Sequence, residues 1–287
     1  MTNKVLTISS YVCSGFVGNR CGMIILDSFQ IQSIFVLTTH LANHTGYPVV
    51  GGSGVLLNDF ISIMDSLEVN HLDKDIEFLV TGYFPSSDLV YETINRVKRI
   101  KDNKKVYFLC DPILGDNGKM YTKSEVQDSM KELIKYADII TPNATELSFL
   151  TGLEVNSVSE AIKACHILHE QGIPVILVTS IKEGNDIILL CSFKDTLNNK
   201  NFTIKIPRIE GDFTGVGDTL TYILLSWIIK GIPLEHAVNR AISTLQTILR
   251  NTVGTAEINI INCIPYLKGT EESFTITYIL EHHHHHH

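Results

Sequence analysis

The chain has 287 residues, of which 44% are hydrophobic and 19% charged, a composition typical of a folded protein with a large core. Its formal net charge of −8 argues against nucleic-acid binding, which needs a basic patch. No apolar run reaches the roughly 18 residues of a membrane span and no N-terminal signal pattern is visible, so we expect a cytoplasmic protein with no nucleic-acid or membrane partner.

Hydrophobic periodicity predicts alternating strands and helices through the first half of the chain. Continuous apolar runs indicate buried strands, and apolar residues at helical spacing indicate amphipathic helices. In chain order the predicted elements are strand 5–9, helix 22–26, strand 31–38, helix 56–66, strand 77–83, helix 88–100, strand 106–111, helix 123–136 and strand 139–140.

The second half continues the alternation and adds a hairpin. Its predicted elements are helix 158–171, strand 175–180, the paired strands 186–193 and 202–206, and helices 219–230 and 234–250. Strands with continuous apolar runs that alternate with helices predict an α/β fold: a three-layer sandwich with a mostly parallel sheet, helices on both faces and one antiparallel edge. No linker or repeat divides the chain, so we expect one domain over residues 1–279, followed by an expression tag over residues 280–287.

Polar residues follow five of the predicted strands. They are Ser9-Ser10, Thr81-Gly82-Tyr83, Asp111-Pro112, Thr141-Pro142-Asn143 and Thr179-Ser180. Each segment alone is also typical of a turn. Ligands of open parallel sheets bind outside the carboxyl ends of the strands, so the joint pattern predicts a ligand crevice there.

The segment Gly215-Val216-Gly217-Asp218 stands directly before a long predicted helix. Two glycines and a helix start can turn several backbone N–H groups toward one point, which favours a phosphate or a developing anion. Asp218 at that point would take a proton from an attacking hydroxyl, whereas the simpler interpretation is that it caps the helix. We interpret the segment as a candidate centre for phosphoryl transfer.

No Walker-type phosphate loop and no dinucleotide-binding fingerprint is present. Gly51-Gly52-Ser53-Gly54 is predicted to be a flexible loop. Asn143 and Glu146, three residues apart at a helix start, could hold a hydrated magnesium ion or could form a capping box. Asp111 and Asp116 flank a tight turn, and the short segment 117–121 after them is either a lid or a surface turn. The six cysteines are scattered, which predicts reduced thiols and no zinc site.

Taken together, these segments resemble the pyridoxal kinases of the ribokinase-like superfamily. The resemblance runs in order from about Val5 to Arg250. The motifs that carry it are Ser10, Gly15-Phe16-Val17-Gly18-Asn19-Arg20, Asn43-His44-Thr45-Gly46-Tyr47, Thr81-Gly82-Tyr83, Cys110-Asp111-Pro112-Ile113-Leu114-Gly115-Asp116, Thr141-Pro142-Asn143-Ala144-Thr145-Glu146 and Gly215-Val216-Gly217-Asp218.

The resemblance implies a role for each matching position. Asp218 would be the base, and the amides of Gly215, Val216 and Gly217 would form the anion hole. The implied vitamer-binding residues are Ser10, Val17, His44, Thr45, Tyr83 and Thr214. The implied nucleotide-binding residues are Asp111, Asn143, Thr179, Ser180, Tyr121, Arg208 and Gly217. The implied metal ligands are Asp111, Asp116, Thr141 and Glu146.

The implied reaction is transfer of the γ-phosphoryl group of ATP to the 5′-hydroxymethyl group of pyridoxal, with pyridoxine and pyridoxamine as other acceptors. The family resemblance also implies Mg²⁺, a monovalent ion (K⁺ or Na⁺) and a homodimer. Two alternatives stay open on the sequence: a hydroxymethylpyrimidine kinase, which shares the Gly-x-Gly-Asp element, and a non-catalytic protein that binds B6 vitamers. The segment Asn43-His44-Thr45-Gly46-Tyr47 favours the B6 vitamers over the pyrimidine.

Overall fold

The computed structural model describes residues 2–208, 215–252, 254 and 257–280. Within this part of the chain the strands alternate with helices as the periodicity predicts. In chain order the strands are β1 (Val5–Ser9), β2 (Ser33–Leu37), β3 (Thr39–Leu41), β4 (Gly52–Gly54), β5 (Phe78–Thr81), β6 (Tyr107–Cys110), β7 (Gly115–Asp116), β8 (Lys119–Met120), β9 (Ile139–Ile140), β10 (Val175–Glu183), β11 (Asp186–Phe193), β12 (Phe202–Pro207) and β13 (Ile276–Tyr278).

The helices in the described ranges are between 8 and 19 residues long. In chain order they are α1 (Gly18–Ser28), α2 (Leu57–Val69), α3 (Ser87–Asn103), α4 (Ser124–Leu133), α5 (Ala144–Thr151), α6 (Val158–Glu170), α7 (Val216–Ile229) and α8 (Leu234–Thr252). Short 3₁₀ turns follow α4 at Ile134–Tyr136 and α8 at Ile261–Tyr266. No helix in the described ranges combines the length and apolar character needed to cross a membrane.

Nine strands form one central sheet in the order β13-β12-β11-β10-β9-β6-β5-β1-β2. The pairs from β2 through β10 are parallel, whereas β10–β11, β11–β12 and β12–β13 are antiparallel. The predicted α/β architecture with an antiparallel edge is therefore confirmed. The parallel strands bring their carboxyl ends to one edge of the sheet, where the predicted crevice lies.

Alternating strand residues serve two separate cores, one on each face of the sheet. Leu6 and Ile8 of β1 join the core beneath α2 to α6, whereas Val5 joins the core beneath α1, α7 and α8. The same alternation holds in β6, where Phe108 and Leu109 point to opposite cores. Because both faces are covered, these strands are largely buried and mostly apolar, with Thr7 as a buried polar exception in β1, which is why they could be predicted from the sequence.

Three predicted details are wrong. Residues 51–54 are not a loop, because Gly52–Gly54 pairs antiparallel with Thr39–Leu41 as a two-stranded flap. Strand β10 does not end at Ser180 but continues to Glu183 after a register shift between Val178 and Ile181. Strand β13, which extends the antiparallel edge, has no counterpart among the predicted elements. Each case depends on backbone pairing with a distant segment, which local apolar periodicity does not report.

The six cysteines are free, as expected: Cys13 is exposed and the other five are buried.

The side chain of His169 is buried and hydrogen-bonded through both ring nitrogens. Its Nδ1 lies 2.8 Å from the carbonyl oxygen of Ile173 and its Nε2 lies 2.8 Å from the hydroxyl of Ser192. A carbonyl can only accept, so Nδ1 carries the proton and Ser192 donates to Nε2. Burial lowers the pKa of His169 below its ordinary value.

This environment predicts an acid-sensitive contribution to stability. In the unfolded chain His169 takes up a proton as the pH falls through about 6.5, whereas the folded state resists it, so the free energy of unfolding falls below that pH by up to about 1.4 kcal/mol per pH unit. His169→Gln should remove this part of the slope, measured by urea unfolding between about pH 8 and about pH 5. His71→Asn, at an exposed histidine whose φ of +57° asparagine tolerates, is the control. An equal change of slope in both variants would contradict the assignment.

Candidate active site

The N-terminus of α7 begins with a left-handed glycine. Gly215 has φ +94°, and a Cβ at this position would lie 2.8 Å from the carbonyl oxygen of Phe16. The hydroxyl and the backbone N–H of Thr219 both donate to the Gly215 carbonyl, at 2.7 and 2.9 Å. This turn leaves the first N–H groups of α7 without intrahelical acceptors, so the positive end of the helix is open to an anion.

Asp218 lies in the first turn of the same helix, and its Oδ2 accepts a hydrogen bond of 2.8 Å from the backbone N–H of Gly18. Gly18 has φ +53°, and a Cβ there would come within 2.3 Å of Ser10. The bond from Gly18 lowers the pKa of Asp218, but burial outweighs it and raises the pKa above the ordinary value. A carboxylate with a raised pKa is a stronger base, which suits proton abstraction from an alcohol.

A cavity of about 350 Å³ lies in front of this carboxylate, at the carboxyl ends of the parallel strands. It unites most of the predicted catalytic, nucleotide-binding and metal-binding residues in one place. Its wall consists of Asp111, Ile113, Asp116, Tyr121, Thr141, Asn143, Glu146, Thr179, Gly215, Val216, Gly217, Asp218 and Thr221. Segments that are more than 100 residues apart in the sequence thus meet at one crevice, as the rule for open parallel sheets predicts.

Negative charge is concentrated in this cavity. Burial, the charge of Glu146 and the charge of Asp218 all raise the pKa of Asp111 well above its ordinary value. The hydroxyl of Thr221 donates to Asp111 Oδ2 at 3.3 Å and opposes that shift. Burial likewise raises the pKa of Glu146, to about 8, against the effect of three backbone N–H donors. Carboxylates that repel one another in a buried cavity favour binding of a cation among them.

The pair Asn143 and Glu146 forms the capping box that one of the two interpretations predicted. Asn143 Oδ1 accepts from the backbone N–H of Glu146 at 2.8 Å, and Glu146 Oε1 accepts from the backbone N–H of Asn143 at 3.0 Å. Glu146 Oε2 accepts from Leu114 N–H at 2.8 Å. Because both oxygens are engaged by the backbone, Glu146 would act on a metal through water rather than as a direct ligand.

The described residues contain no group of three His, Cys, Asp or Glu side chains arranged to hold a metal ion directly. Mg²⁺ keeps several of its waters and typically uses one or two carboxylates together with substrate phosphates. Asp111 and Asp116, with the hydroxyl of Thr141 on the same wall, fit such a hydrated ion by charge and by donor type. The residues present therefore suit a magnesium ion that arrives with the nucleotide.

Strands β7 and β8 form a small hairpin over this cavity. Its turn residues Asn117 and Gly118 have φ values of +51° and +76°, the paired positive values of a type I′ turn, for which Asn-Gly is a preferred sequence. Asn143 Nδ2 donates to the carbonyl of Gly115 at 2.8 Å, which ties the hairpin to the start of α5. The hairpin carries Asp116 at one end and leads into Tyr121 at the other, so its position sets two walls of the cavity.

Removing the amide of Asn143 is expected to affect both stability and activity. Asn143→Ala loses the cap of α5 and the bond to Gly115, so we expect a loss of about 1–2 kcal/mol in the free energy of unfolding. The hairpin loses its anchor, so we also expect kcat to fall by roughly tenfold or more. Ser157→Ala is the matched control, because Ser157 caps α6 by accepting from Glu160 N–H at 3.1 Å. An equal effect of both variants on kcat would contradict this role.

A second cavity of about 530 Å³ adjoins the first and shares Asp116 with it. Ser180 and Lys182 of β10 lie on its wall, whereas Thr179 faces the first cavity. The irregularity in β10 between Val178 and Ile181 separates these side chains, since a bulge redirects residues that a regular strand would alternate. Arg208 is exposed just after β12 and does not line either cavity, so its predicted nucleotide contact stays a prediction.

Among the described residues, the predicted vitamer-binding residues line neither of these two cavities. Ser10 accepts from Asn19 N–H at 2.7 Å through its carbonyl, and Val17 directly precedes α1 and the N–H of Gly18. Tyr83 is half-buried, its pKa is raised by burial, and its carbonyl accepts from the hydroxyl of Thr38 at 2.6 Å. Thr45 is exposed in the flap between β3 and β4. Thr214 lies outside the described residues.

His44 is oriented by partners on both ring nitrogens. Gly46 N–H donates to Nδ1 at 3.0 Å, so the proton is on Nε2, which lies 3.3 Å from Glu257 Oε1. The ring of Tyr47 lies 4.7 Å from the His44 ring, centroid to centroid. His44 is therefore placed to contact a ligand through its ring face or edge rather than through a free nitrogen.

Sequence reasoning missed three contributors to the site. Gly18 lies in a motif that carries the family resemblance, but it was given no role because it acts through its backbone N–H rather than a side chain. Lys182 belongs to a strand that was predicted to end two residues earlier. Thr221 could have been found, because it is a polar residue three positions after Asp218 in a mostly apolar helix and so shares its face.

A buried acid beside an open helix N-terminus, facing an acidic crevice at the strand ends, defines a small-molecule kinase. A family model described as phosphomethylpyrimidine kinase matches residues 54–260. Pyridoxal kinase of Dictyostelium discoideum is 36% identical over 263 residues, which cover 88% of this chain and 87% of that protein. The chain belongs to the phosphomethylpyrimidine kinase family and, within it, to the pyridoxal kinases.

Solved structures agree with this assignment. The structure of pyridoxal kinase of Entamoeba histolytica with PLP is 98% identical and has a TM-score of 0.95, with 98% of this chain and 100% of that chain covered. Pyridoxal kinase from Leishmania donovani, in complex with ADP and pyridoxamine, is 30% identical with a TM-score of 0.90, over 97% of this chain and 100% of that chain. The predicted ribokinase-like fold and pyridoxal kinase activity are confirmed, so the non-catalytic alternative is wrong.

Proposed function

We propose that the chain transfers the γ-phosphoryl group of ATP to the 5′-hydroxymethyl oxygen of pyridoxal, and also of pyridoxine and pyridoxamine. The observation that carries this proposal is the position of Asp218 beside the open N-terminus of α7, in one cavity with Asp111 and Glu146. The Entamoeba histolytica structure with PLP and the Leishmania donovani complex with ADP and pyridoxamine support the same pair of substrates.

In this mechanism the 5′-hydroxyl oxygen of the vitamer forms a bond to the γ-phosphorus, and Asp218 accepts the proton that the hydroxyl loses. The bond between that phosphorus and the β–γ bridging oxygen breaks, and its electron pair leaves with ADP. Gly18 N–H holds one carboxylate oxygen, so the other is oriented toward the substrate. The amides of Gly215, Val216 and Gly217 face the transferred group and stabilise its negative charge, without any reorganisation during the reaction.

The acidic residues at the strand ends would organise the metal and the phosphates. We assign Asp111 and Asp116 to a hydrated Mg²⁺, with Thr141 beside them and Glu146 acting through water. When bound, Mg²⁺ supplies neutralising charge to the phosphate oxygens. The nucleotide-facing residues we propose are Asn143, Thr179, Ser180, Tyr121 and Arg208. A requirement for K⁺ or Na⁺, a homodimer and a cytoplasmic location all stay predictions.

The vitamer would lie between the flap and the start of α1. We propose that Ser10, Thr45 and Tyr83 bind the pyridine ring, with Val17 and His44 against its face. Thr214 stays a predicted substrate-binding residue outside the described part of the chain. His44 is fixed by Gly46 and Glu257, so it supplies a shaped wall rather than a proton. Gly18 lies against Ser10 and donates its N–H to Asp218. A pyridine ring bound at Ser10 would therefore present its 5′-hydroxymethyl group to that carboxylate.

A second candidate substrate is hydroxymethylpyrimidine, a pyrimidine related to the one named in the matching family model, which is described as phosphomethylpyrimidine kinase. An assay of ADP release with pyridoxal and with hydroxymethylpyrimidine, combined with absorbance of the phosphorylated aldehyde, separates the two. We expect kcat/KM for pyridoxal to exceed that for the pyrimidine by roughly tenfold or more, the scale at which a shaped pocket discriminates. A preference for the pyrimidine would contradict the proposed function and leave the kinase class intact.

A further inference from the structure

The walls of the two adjoining cavities are strongly unequal in charge. Among the described residues they carry the carboxylates of Asp111, Asp116, Glu146, Glu154 and Asp218 but a single cationic side chain, that of Lys182. A nucleotide polyphosphate brings further negative charge to these walls. Mg²⁺ offsets part of it, and a protein ammonium at the same place would offset more.

Lys182 lies where its ammonium can reach a phosphate group bound in these cavities. It lies two residues after Ser180, on the part of β10 that follows the register shift, and both side chains line the second cavity. Its side chain is exposed, so it can move without breaking a packed core. A lysine ammonium on a flexible four-carbon stem can reach several acceptors from one backbone position.

In this structure the ammonium of Lys182 donates to Asn117 Oδ1 at 2.7 Å. Asn117 is the first turn residue of the β7–β8 hairpin, and the next residue, Gly118, donates its N–H to Thr145 Oγ1 at 2.8 Å. The tip of the hairpin is thus held by β10 on one side and by α5 on the other. Because Asp116 belongs to this hairpin and to both cavities, the contact from Lys182 bears on the position of a predicted metal ligand.

We propose that Lys182 is a nucleotide-binding residue whose ammonium exchanges Asn117 Oδ1 for a phosphate oxygen of the bound nucleotide. A bond from an ammonium to a phosphate is stronger than one to a neutral amide, so arrival of the nucleotide favours the exchange. The exchange releases one of the two ties on the hairpin tip and leaves Gly118 held by Thr145. Lys182 therefore links nucleotide binding to the position of the hairpin that carries Asp116. This inference rests on the proposed function for the identity of the nucleotide.

The test measures ADP binding by calorimetry, with and without Mg²⁺, for wild type and four variants. Lys182→Met should weaken ADP binding by about tenfold, the effect of losing one charge-assisted hydrogen bond, and KM for pyridoxal should change less than about twofold. Lys182→Arg should restore most of the affinity. Lys119→Met is the control: it removes the same charge from β8 of the same hairpin, and Lys119 does not line either cavity.

Asn117→Gly separates the two roles of the contact, because glycine tolerates the positive φ of this turn position. It removes the competing acceptor and keeps the ammonium, so ADP affinity should stay equal or increase. Three results would overturn the inference: unchanged ADP affinity in Lys182→Met, an equal loss in Lys119→Met, or a loss in Asn117→Gly as large as that in Lys182→Met. If wild type binds ADP through Lys182 but does not phosphorylate pyridoxal, the proposed substrate fails and the role of Lys182 stands.

Discussion

Asp218→Asn is expected to lower kcat for pyridoxal phosphorylation by roughly 10²–10⁴-fold, the range for loss of a general base. The amide keeps the shape of the carboxylate but cannot accept a proton from the 5′-hydroxyl. ADP affinity should change less than about twofold, since no role in nucleotide binding is assigned to this side chain. Steady-state kinetics with calorimetric ADP binding measures both quantities.

The pH dependence of the wild type adds a second criterion for Asp218. Burial raises the pKa of this carboxylate, so the base is protonated at pH values where an exposed aspartate is already ionised. kcat/KM should therefore fall as the pH decreases through that raised pKa, and this acid limb should be missing from the residual activity of Asp218→Asn. Asp186→Asn, which removes the charge of a carboxylate 3.6 Å from Lys205 on the antiparallel edge, is the control. Near-normal turnover in Asp218→Asn would remove Asp218 from the mechanism.

Gly215→Ala is expected to have the second largest effect. Alanine at φ +94° costs about 1–2 kcal/mol, and its Cβ would lie 2.8 Å from the carbonyl oxygen of Phe16. The turn would have to shift, and the N–H groups at the start of α7 would move with it. Loss of an aligned oxyanion donor typically costs roughly 10²–10³-fold in kcat, and we expect that loss here together with a lower thermal midpoint.

Gly172→Ala isolates the backbone strain from the displacement of the site. Gly172 has φ +98°, nearly that of Gly215, but a Cβ there has no heavy atom within 4 Å, and the residue follows α6 away from the crevice. This control should lose about 1 kcal/mol of stability with an unchanged kcat. If Gly215→Ala also loses stability alone, the amides at the start of α7 do not form the anion site.

The buried strands of the sheet could be predicted because their own sequences are mostly apolar. Val5–Ser9 and Tyr107–Cys110 are covered on both faces, so each is mostly apolar and lies at the expected place. Gly52–Gly54 and Ile276–Tyr278 are different, since each is stabilised by pairing with one distant strand and carries little apolar periodicity. The extension of β10 beyond Ser180 was missed for the same reason, because residues 181–183 pair with β11 after an irregularity.

The parts of the site that consist of short sequence motifs could be predicted. The glycines before Asp218 and the polar residues after β6 and β9 indicated the crevice, and the structure brings them into one cavity. The N–H of Gly18 on Asp218 and the contact of Glu257 with His44 could not be predicted, because each joins segments about 200 residues apart without a residue pattern of its own. Roles that depend on such long-range contacts can be assigned only from the three-dimensional structure.

A structure of the enzyme with a non-hydrolysable ATP analogue, Mg²⁺ and pyridoxal tests the central claim most directly. The measured quantities are the distance from the 5′-hydroxyl oxygen to the carboxylate of Asp218 and the distances from the γ-phosphate oxygens to the amides of Gly215, Val216 and Gly217. The account predicts hydrogen-bond distances of about 2.6–3.2 Å for the first and about 2.7–3.1 Å for the second. A bound vitamer whose hydroxyl points away from Asp218, or a γ-phosphate held elsewhere in the crevice, would contradict it.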